Sequence, residues 1–173
     1  ERSVLRWLCR HLPADAPVLE LCCESGRFLG ALAQHGFRPF GTDPLAPPVA
    51  MLRAMGFAAT EGIVEECPPD WPTPAAVVLL ESLVRFPDPL GLLRSVRNRF
   101  PRAPICCSVP SPRRSLKVPE FDRRLDYPPD HLTRWTPAAL RKALEQAGYR
   151  GTCSVARVAL RGRGQSWRSK TMR

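Results

Sequence analysis

One stretch, residues 18–43, constrains the fold of this chain more than any other. It reads VLELCCESGRFLGALAQHGFRPFGTD, and its first apolar run ends in a turn signal at Ser25 and Gly26. The apolar residues that follow recur with helical spacing, and they are Phe28, Leu29, Leu32 and Ala33. Gly36 ends that helix, and a second apolar run closes at Asp43. The pattern predicts strand, turn, helix and strand, the unit from which parallel sheets are built.

Strand-like and helix-like segments alternate along the rest of the chain. AAVVLLES is a nearly continuous apolar run, as in the central strand of a parallel sheet, and APICCSV is a second one. Thr136 and Pro137 predict a helix start, with Thr as N-cap and Pro at the first helical position. The alternation predicts a Rossmann-like α/β domain over residues 1–160, an open, mostly parallel sheet with helices on both faces. GTCSVARVAL is the last strand predicted, and no further strand is predicted after Leu160.

The net charge of +10 at pH 7 comes mainly from the C-terminal end. Residues 157–173 carry six basic side chains and no acid. A disordered, solvated basic tail over residues 161–173 explains this pattern better than a nucleic-acid contact, because charge alone is a weak signal. Nucleic acid is therefore not favoured as a partner.

The seven cysteines do not show the spacing of a metal site. Four of them form adjacent pairs, Cys22-Cys23 and Cys106-Cys107, without the C-x₂-C pattern typical of zinc ligands. We therefore predict no metal, and free thiols in a reducing, cytoplasmic setting. The sequence contains no run of 18 apolar residues, so no membrane span is predicted. The chain begins with Glu1 inside a helical pattern, which favours a fragment or a processed chain.

Asp43 is the strongest single candidate for ligand binding. An acid about 20 residues beyond a glycine turn, at the end of the next strand, hydrogen-bonds ribose hydroxyls in nucleotide-binding βαβ units. Asp43 has that place relative to Gly26, which predicts an adenosine-containing cofactor. The loop offers one glycine rather than the three of a dinucleotide fingerprint, so NAD is disfavoured. The alternative for Asp43 is an N-cap of the following helix.

These segments together resemble a class I S-adenosylmethionine-dependent methyltransferase, of the group that includes the ubiquinone-type O-methyltransferases. That family opens with hydrophobic-hydrophobic-Asp/Glu-hydrophobic-Gly-x-Gly-x-Gly, which VLELCCESGRF matches at Glu20, Ser25, Gly26, Arg27 and Phe28. Three further segments are similar to later parts of the family pattern, namely VVLLESLVRFPDPLGLLRSV, ICCSVPSPRR and DYPPDHLTRWTPAALRKALEQAGYR. The resemblance runs from about Val4 to Leu160. It implies the class I methyltransferase fold and S-adenosylmethionine as cofactor. It also implies one further, antiparallel strand, which is expected to be missing because none is predicted after Leu160.

The chain departs from the family pattern in its loops. The first and second loop glycines are Cys22 and Glu24, at positions where glycine lets the backbone approach a ligand. Either these side chains obstruct the cofactor, or Glu24 faces its positive sulfonium or ammonium group. The Glu-His pair after the fourth strand is Val84-Arg85, and one histidine of the PPHH-like segment is Asp130.

The predicted site lies beyond the carboxyl ends of the strands, where parallel sheets bind ligands. The predicted cofactor-binding residues are Glu20, Cys22, Glu24, Gly26, Asp43, Glu81 and Ser82. Glu20 is expected to orient the loop, with a salt bridge to a nearby Arg as the alternative. Glu81 is expected to meet the methionine end of the cofactor, with a solvated strand end as the alternative.

His131 is the predicted catalytic base, because histidine titrates near neutral pH and this one lies in a long polar segment after the fifth strand. His11 and His35 are expected to cap helix ends. Phe121, Tyr127 and Trp135 are expected to line an acceptor pocket or to anchor that segment.

Three functions compete at this point. The first is S-adenosylmethionine-dependent methyl transfer to a small-molecule, lipid-like or glycan acceptor. The second is a degenerate methyltransferase fold that acts as a binding or scaffold domain without catalysis. The third, less favoured, is an Arg-rich nucleic-acid-binding domain. Methyl transfer is preferred because Glu20, Gly26 and Asp43 remain in register.

Overall fold

The computed structural model describes residues 1–111 and 127–151. Within these ranges the chain forms a five-stranded sheet in which every pair of neighbours is parallel. The strands are β1 (Pro17–Leu21), β2 (Arg38–Asp43), β3 (Ala58–Glu61), β4 (Ala76–Leu80) and β5 (Ile105–Ser108). Their order in the sheet is β3-β2-β1-β4-β5. The predicted Rossmann-like α/β architecture is confirmed.

Five α-helices accompany the sheet within the described residues. They are α1 (Arg2–His11), α2 (Arg27–Gln34), α3 (Ala46–Ala54), α4 (Pro89–Arg99) and α5 (Pro137–Gln146), with a 3₁₀ turn at Leu83–Arg85. Helices α4 and α5 pack on one face of the sheet, in a cluster with β1, β2 and β4 side chains. Helices α1 and α2 pack on the other face, and α3 lies beside α2. Both faces are therefore covered, as the sequence predicts.

The helix ends show capping interactions that can be predicted from the local sequence. The Thr136 hydroxyl accepts a hydrogen bond from the Ala139 amide at 3.1 Å, so the predicted cap of α5 is confirmed. His11 and His35 lie at the ends of α1 and α2. Each ring Nδ1 lies 2.8 Å from the carbonyl oxygen four residues earlier, as expected of histidines at helix ends.

The helical spacing of residues 28–33 is confirmed by α2, which buries Phe28, Leu29 and Leu32 and leaves Ala33 exposed. Four predicted features lie outside the described residues, namely the strand GTCSVARVAL beyond Gly151, the basic tail at 161–173, the domain boundary at 160 and Phe121. Among the described helices, none has the length and apolar character needed to cross a bilayer.

The strand order determines where a ligand would sit. From β1 the chain moves outward through β2 to β3, then returns to β4 on the other side of β1. The order therefore reverses between β1 and β4, and the connections that leave their carboxyl ends diverge. In open parallel sheets this divergence forms the ligand crevice.

Candidate active site

The loop at residues 22–26, between β1 and α2, is tied to the end of β2. The Cys23 amide donates to the Thr42 carbonyl oxygen at 3.1 Å. The Glu24 amide donates to Asp43 Oδ2 at 2.9 Å. The Gly26 amide closes the turn on the Cys23 carbonyl oxygen at 2.8 Å, and α2 follows at once. The loop therefore has a defined shape at the carboxyl edge.

Asp43 is the anchor of this edge. It is 3% exposed, and its Oδ1 accepts a second hydrogen bond, from the Leu45 amide at 3.0 Å. The alternative that Asp43 is the N-cap of α3 is wrong, because Leu45 holds that position. The carboxylate instead joins the β1–α2 loop to the chain that leaves β2. Its oxygens have further acceptor capacity beyond these two bonds.

Backbone strain is concentrated at the carboxyl edge. Cys22 and Glu24 have φ values of 58° and 45°, and Glu81 has 58°. Left-handed backbone is costly for residues with a Cβ, and such residues cluster at functional sites. Gly26 also has a positive φ, 68°, and an added Cβ would clash with the buried Leu52 side chain. Packing therefore requires glycine at 26, whereas at 22 and 24 the same left-handed backbone carries a side chain.

Replacing Cys22 and Glu24 by glycine is expected to stabilise the fold. Cys22→Gly and Glu24→Gly should each raise the free energy of unfolding by about 1 kcal/mol, the cost of a left-handed residue with a side chain. Denaturant unfolding measures this directly. Asp15→Gly is the matched control, since Asp15 has a φ of 63° before β1, at the other end of the sheet. A gain at position 15 without one at 22 or 24 would contradict the strain assignment.

Glu20 is a buried acid beneath the loop. It is 4% exposed, and the backbone of Leu29, in the first turn of α2, hydrogen-bonds its carboxyl group. Burial raises the pKa of Glu20 from 4.5 to about 8, and the negative charges of Glu1 and Glu24 add to the effect. Its Oε2 has no hydrogen-bond partner within the described ranges. Glu20 is therefore mostly protonated at neutral pH and links β1 to α2.

The end of β4 forms the other side of the crevice. Glu81 Oε1 accepts a hydrogen bond from the Ser108 hydroxyl at 2.8 Å, and the Glu81 amide donates to the Ser108 carbonyl oxygen at 3.0 Å. Ser82 is buried, and its hydroxyl has no partner among the residues described. Glu81 is therefore fixed to the end of β5 rather than freely solvated, while its side chain remains exposed.

Arg85 is a site residue that sequence reasoning did not assign. Its Nη1 lies 2.5 Å from Glu24 Oε1, so an ion pair connects the loop after β1 to the 3₁₀ turn after β4. The side chains of Arg85 and Glu24 are 52% and 56% exposed. The available signal was that both residues depart from the family pattern and carry opposite charges.

The segment that carries His131 reaches the same edge. The Leu132 and Thr133 amides both donate to the Val84 carbonyl oxygen, at 2.8 and 3.1 Å, beside Arg85. His131 is half-buried, and its amide donates to the Tyr127 carbonyl oxygen at 3.1 Å. The structure thus brings the backbone around His131 next to the loop after β4.

The two predicted pocket aromatics within the described residues make local contacts. The Tyr127 ring lies 4.6 Å from the Arg134 guanidinium carbon, and Trp135 Nε1 donates to Thr133 Oγ1 at 2.8 Å. Trp135 also packs against the core, as expected of an anchor, whereas Tyr127 is exposed.

The cysteines of the loop are not activated nucleophiles. Burial raises the pKa of the Cys22 and Cys23 thiols to about 12, so both are neutral thiols near pH 7. The described cysteines are all free. Within the described residues no cluster of three or more metal-ligating side chains occurs.

Comparisons with known proteins fit this architecture. Three similar solved structures are the magnesium protoporphyrin IX methyltransferase of Synechocystis PCC 6803, with bound S-adenosylhomocysteine; an S-adenosylmethionine-dependent methyltransferase of Mesorhizobium loti; and a methyltransferase in complex with the Haloferax volcanii Trm112 activator. Their identities to this chain are 19%, 18% and 23%, with TM-scores of 0.64, 0.61 and 0.63. At this identity the likeness shows the fold.

The alignments cover most of this chain but less of its relatives. They include 89%, 84% and 83% of this chain, and 75%, 79% and 66% of the Synechocystis, Mesorhizobium and Haloferax chains. No curated protein sequence matches the chain. A family model described as a methyltransferase domain matches residues 2–154. This chain therefore belongs to the methyltransferase domain family, with the class I fold and S-adenosylmethionine as the cofactor that the family implies.

Proposed function

We propose that this chain transfers a methyl group from S-adenosylmethionine to a small-molecule, lipid-like or glycan acceptor. The observation that supports this most is the buried Asp43 carboxylate, which holds the β1–α2 loop beside the point where the strand order reverses. A fixed acid at that place is suited to ribose hydroxyls.

The residues at this edge fit the chemistry of the cofactor. S-adenosylmethionine carries positive charge at its sulfonium and ammonium groups, and Glu24 and Glu81 present exposed carboxylates there. The buried Ser82 hydroxyl, without a partner in the described ranges, offers a further hydrogen bond. The residues proposed to hold the cofactor are Glu20, Cys22, Glu24, Gly26, Asp43, Glu81 and Ser82, with Glu20 acting through the loop that it supports.

The protein's contribution to the reaction is mainly positioning. When bound, the cofactor supplies an electrophilic methyl group, and holding two reactants in line contributes about 7–11 kcal/mol in well-oriented cases. We assign His131 the role of base for an acceptor that must lose a proton, such as a hydroxyl. Its segment is held at Val84, on the β4 side of the crevice. The free cysteines support a reducing, cytoplasmic setting for this activity.

Calorimetric titration tests the cofactor assignment. We expect saturable binding of S-adenosylmethionine and S-adenosylhomocysteine at one site per chain. Asp43→Asn should weaken both by about 1–3 kcal/mol, because a charged acceptor for ribose hydroxyls is lost. Asp88→Asn is the control, since Asp88 caps α4 through the Gly91 amide at 2.8 Å. Absence of binding, or full affinity in a folded Asp43→Asn variant, would reject the assignment.

A further inference from the structure

We propose that Glu24 and Arg85 recognise the amino-acid end of the cofactor, with Arg85 binding its α-carboxylate and Glu24 its α-ammonium group. The proposal rests on the proposed function and adds to it a residue and a recognition mode. The two side chains form an ion pair with each other. A zwitterion that carries the same two charges can replace each partner with its own opposite charge.

The ion pair lies where the ligand crevice is expected. Glu24 follows β1 and Arg85 follows β4, and the strand order reverses between these two strands. The pair therefore spans the crevice. Both charges act on the Cys22 thiol. Burial raises the pKa of Cys22, the Arg85 charge partly opposes that rise, and the Glu24 charge adds to it.

The backbones on both sides are fixed, so that only side chains need to move. The Glu24 amide is held by Asp43 at 2.9 Å. Val84, next to Arg85, accepts two hydrogen bonds from the segment at Leu132 and Thr133. Recognition groups mounted on an ordered backbone lose little freedom on binding, which favours affinity.

Exchange of the internal pair for the ligand is energetically easy. Both side chains are about half exposed, and an exposed ion pair contributes little to stability because water screens it. An arginine guanidinium matches a carboxylate with two parallel hydrogen bonds, and the Glu24 carboxylate can accept from an ammonium group. Binding therefore forms two charge-assisted contacts with the ligand, while the protein loses one weak ion pair.

The alternative role for the Glu24–Arg85 ion pair is that of a strap that blocks the crevice, and this role predicts the opposite binding results. If the pair only closed the crevice, its removal would tighten the binding of every ligand that enters. If it recognises the amino-acid end, its removal weakens only those ligands that possess that end. Paired ligands that differ in this end therefore separate the two roles.

The test is calorimetric binding of S-adenosylhomocysteine and of 5′-methylthioadenosine, which lacks the α-amino and α-carboxyl groups. We expect Arg85→Gln and Glu24→Gln each to weaken S-adenosylhomocysteine at least tenfold and to change 5′-methylthioadenosine by less than twofold. The double variant E24R/R85E keeps an ion pair across the crevice with its polarity reversed, and it should bind S-adenosylhomocysteine at least tenfold more weakly than the wild type.

The matched control pair lies at the opposite end of the sheet. Arg38 Nε lies 3.2 Å from Asp15 Oδ1, and Asp15, like Glu24, has a positive φ. Arg38→Gln and Asp15→Asn should leave both affinities unchanged.

Three outcomes would overturn the proposal. The first is equal weakening of both ligands, and the second is full S-adenosylhomocysteine affinity in E24R/R85E. The third is tighter binding of both ligands by Arg85→Gln, which would establish the strap. If the wild type binds both 5′-methylthioadenosine and S-adenosylhomocysteine and the variants give one of these results, only the recognition of the amino-acid end is overturned. A wild-type chain that binds neither ligand overturns this inference and the proposed function together.

Discussion

Raising the pH from 5 to 8 is expected to destabilise this protein through the buried carboxyl group of Glu20. Burial raises its pKa from 4.5 to about 8 in the folded state. Between these values the unfolded chain releases the proton while the folded chain retains it, so the free energy of unfolding falls as the pH rises. The full shift corresponds to a loss on the order of 4–5 kcal/mol, complete only above the folded pKa.

Glu20→Gln isolates this contribution. Glutamine keeps an acceptor for the Leu29 backbone and remains neutral at every pH, so the variant should be nearly as stable as the wild type at pH 5 and clearly more stable at pH 8. Denaturant unfolding at a series of pH values provides the comparison. Glu145→Gln, at an exposed position on α5, should follow the wild-type curve. Parallel curves for Glu20→Gln and the wild type would show that Glu20 ionises normally.

Asp43→Ala is expected to be among the most damaging substitutions at the carboxyl edge, even without ligand. The carboxylate accepts hydrogen bonds from the Glu24 and Leu45 amides, and alanine would leave both without this acceptor. Hydrogen bonds to charged groups contribute about 1.5–3 kcal/mol each, so the free energy of unfolding should fall by about 3–6 kcal/mol.

Asp88, a helix cap that accepts one hydrogen bond, provides a reference for the size of this loss in stability. Asp88→Ala removes one exposed hydrogen bond to Gly91 at the start of α4 and should cost about 1 kcal/mol. Both variants are compared by denaturant unfolding of the ligand-free protein. If Asp43→Ala loses no more than Asp88→Ala, the two amides find water or other acceptors, and Asp43 does not anchor the loop.

The order of strands and helices could be predicted because each signal is local. The apolar runs, the glycine stops and the Thr136-Pro137 cap act over a few residues, and the structure confirms those that fall in the described residues. The alternation then leaves few topologies, since crossovers between parallel strands usually run through a helix. Asp43 was correctly predicted to lie at the end of β2 for the same reason.

The details of the site depend on contacts between distant segments, which periodicity does not report. The sequence leaves open whether Glu24 obstructs the cofactor or faces its positive sulfonium or ammonium group. Its pairing with Arg85 depends on the loops after β1 and β4 meeting in space. The helix-cap alternative for Asp43 is wrong because α3 begins at Ala46, with Leu45 as N-cap, rather than at Pro44 directly after Asp43. The pKa of Glu20 likewise depends on helices packed over β1.

The left-handed backbone at Cys22, Glu24 and Glu81 has a consequence for laboratory evolution. A selection for heat resistance alone would favour glycine at these positions, since relief of strain is a common route to a more stable variant. Yet these positions lie at the carboxyl edge where we propose that the cofactor binds, and two of them carry carboxylates. Such a selection would therefore remove charged groups from the proposed site. Variants meant to stay functional should be sought with ligand binding as a second criterion.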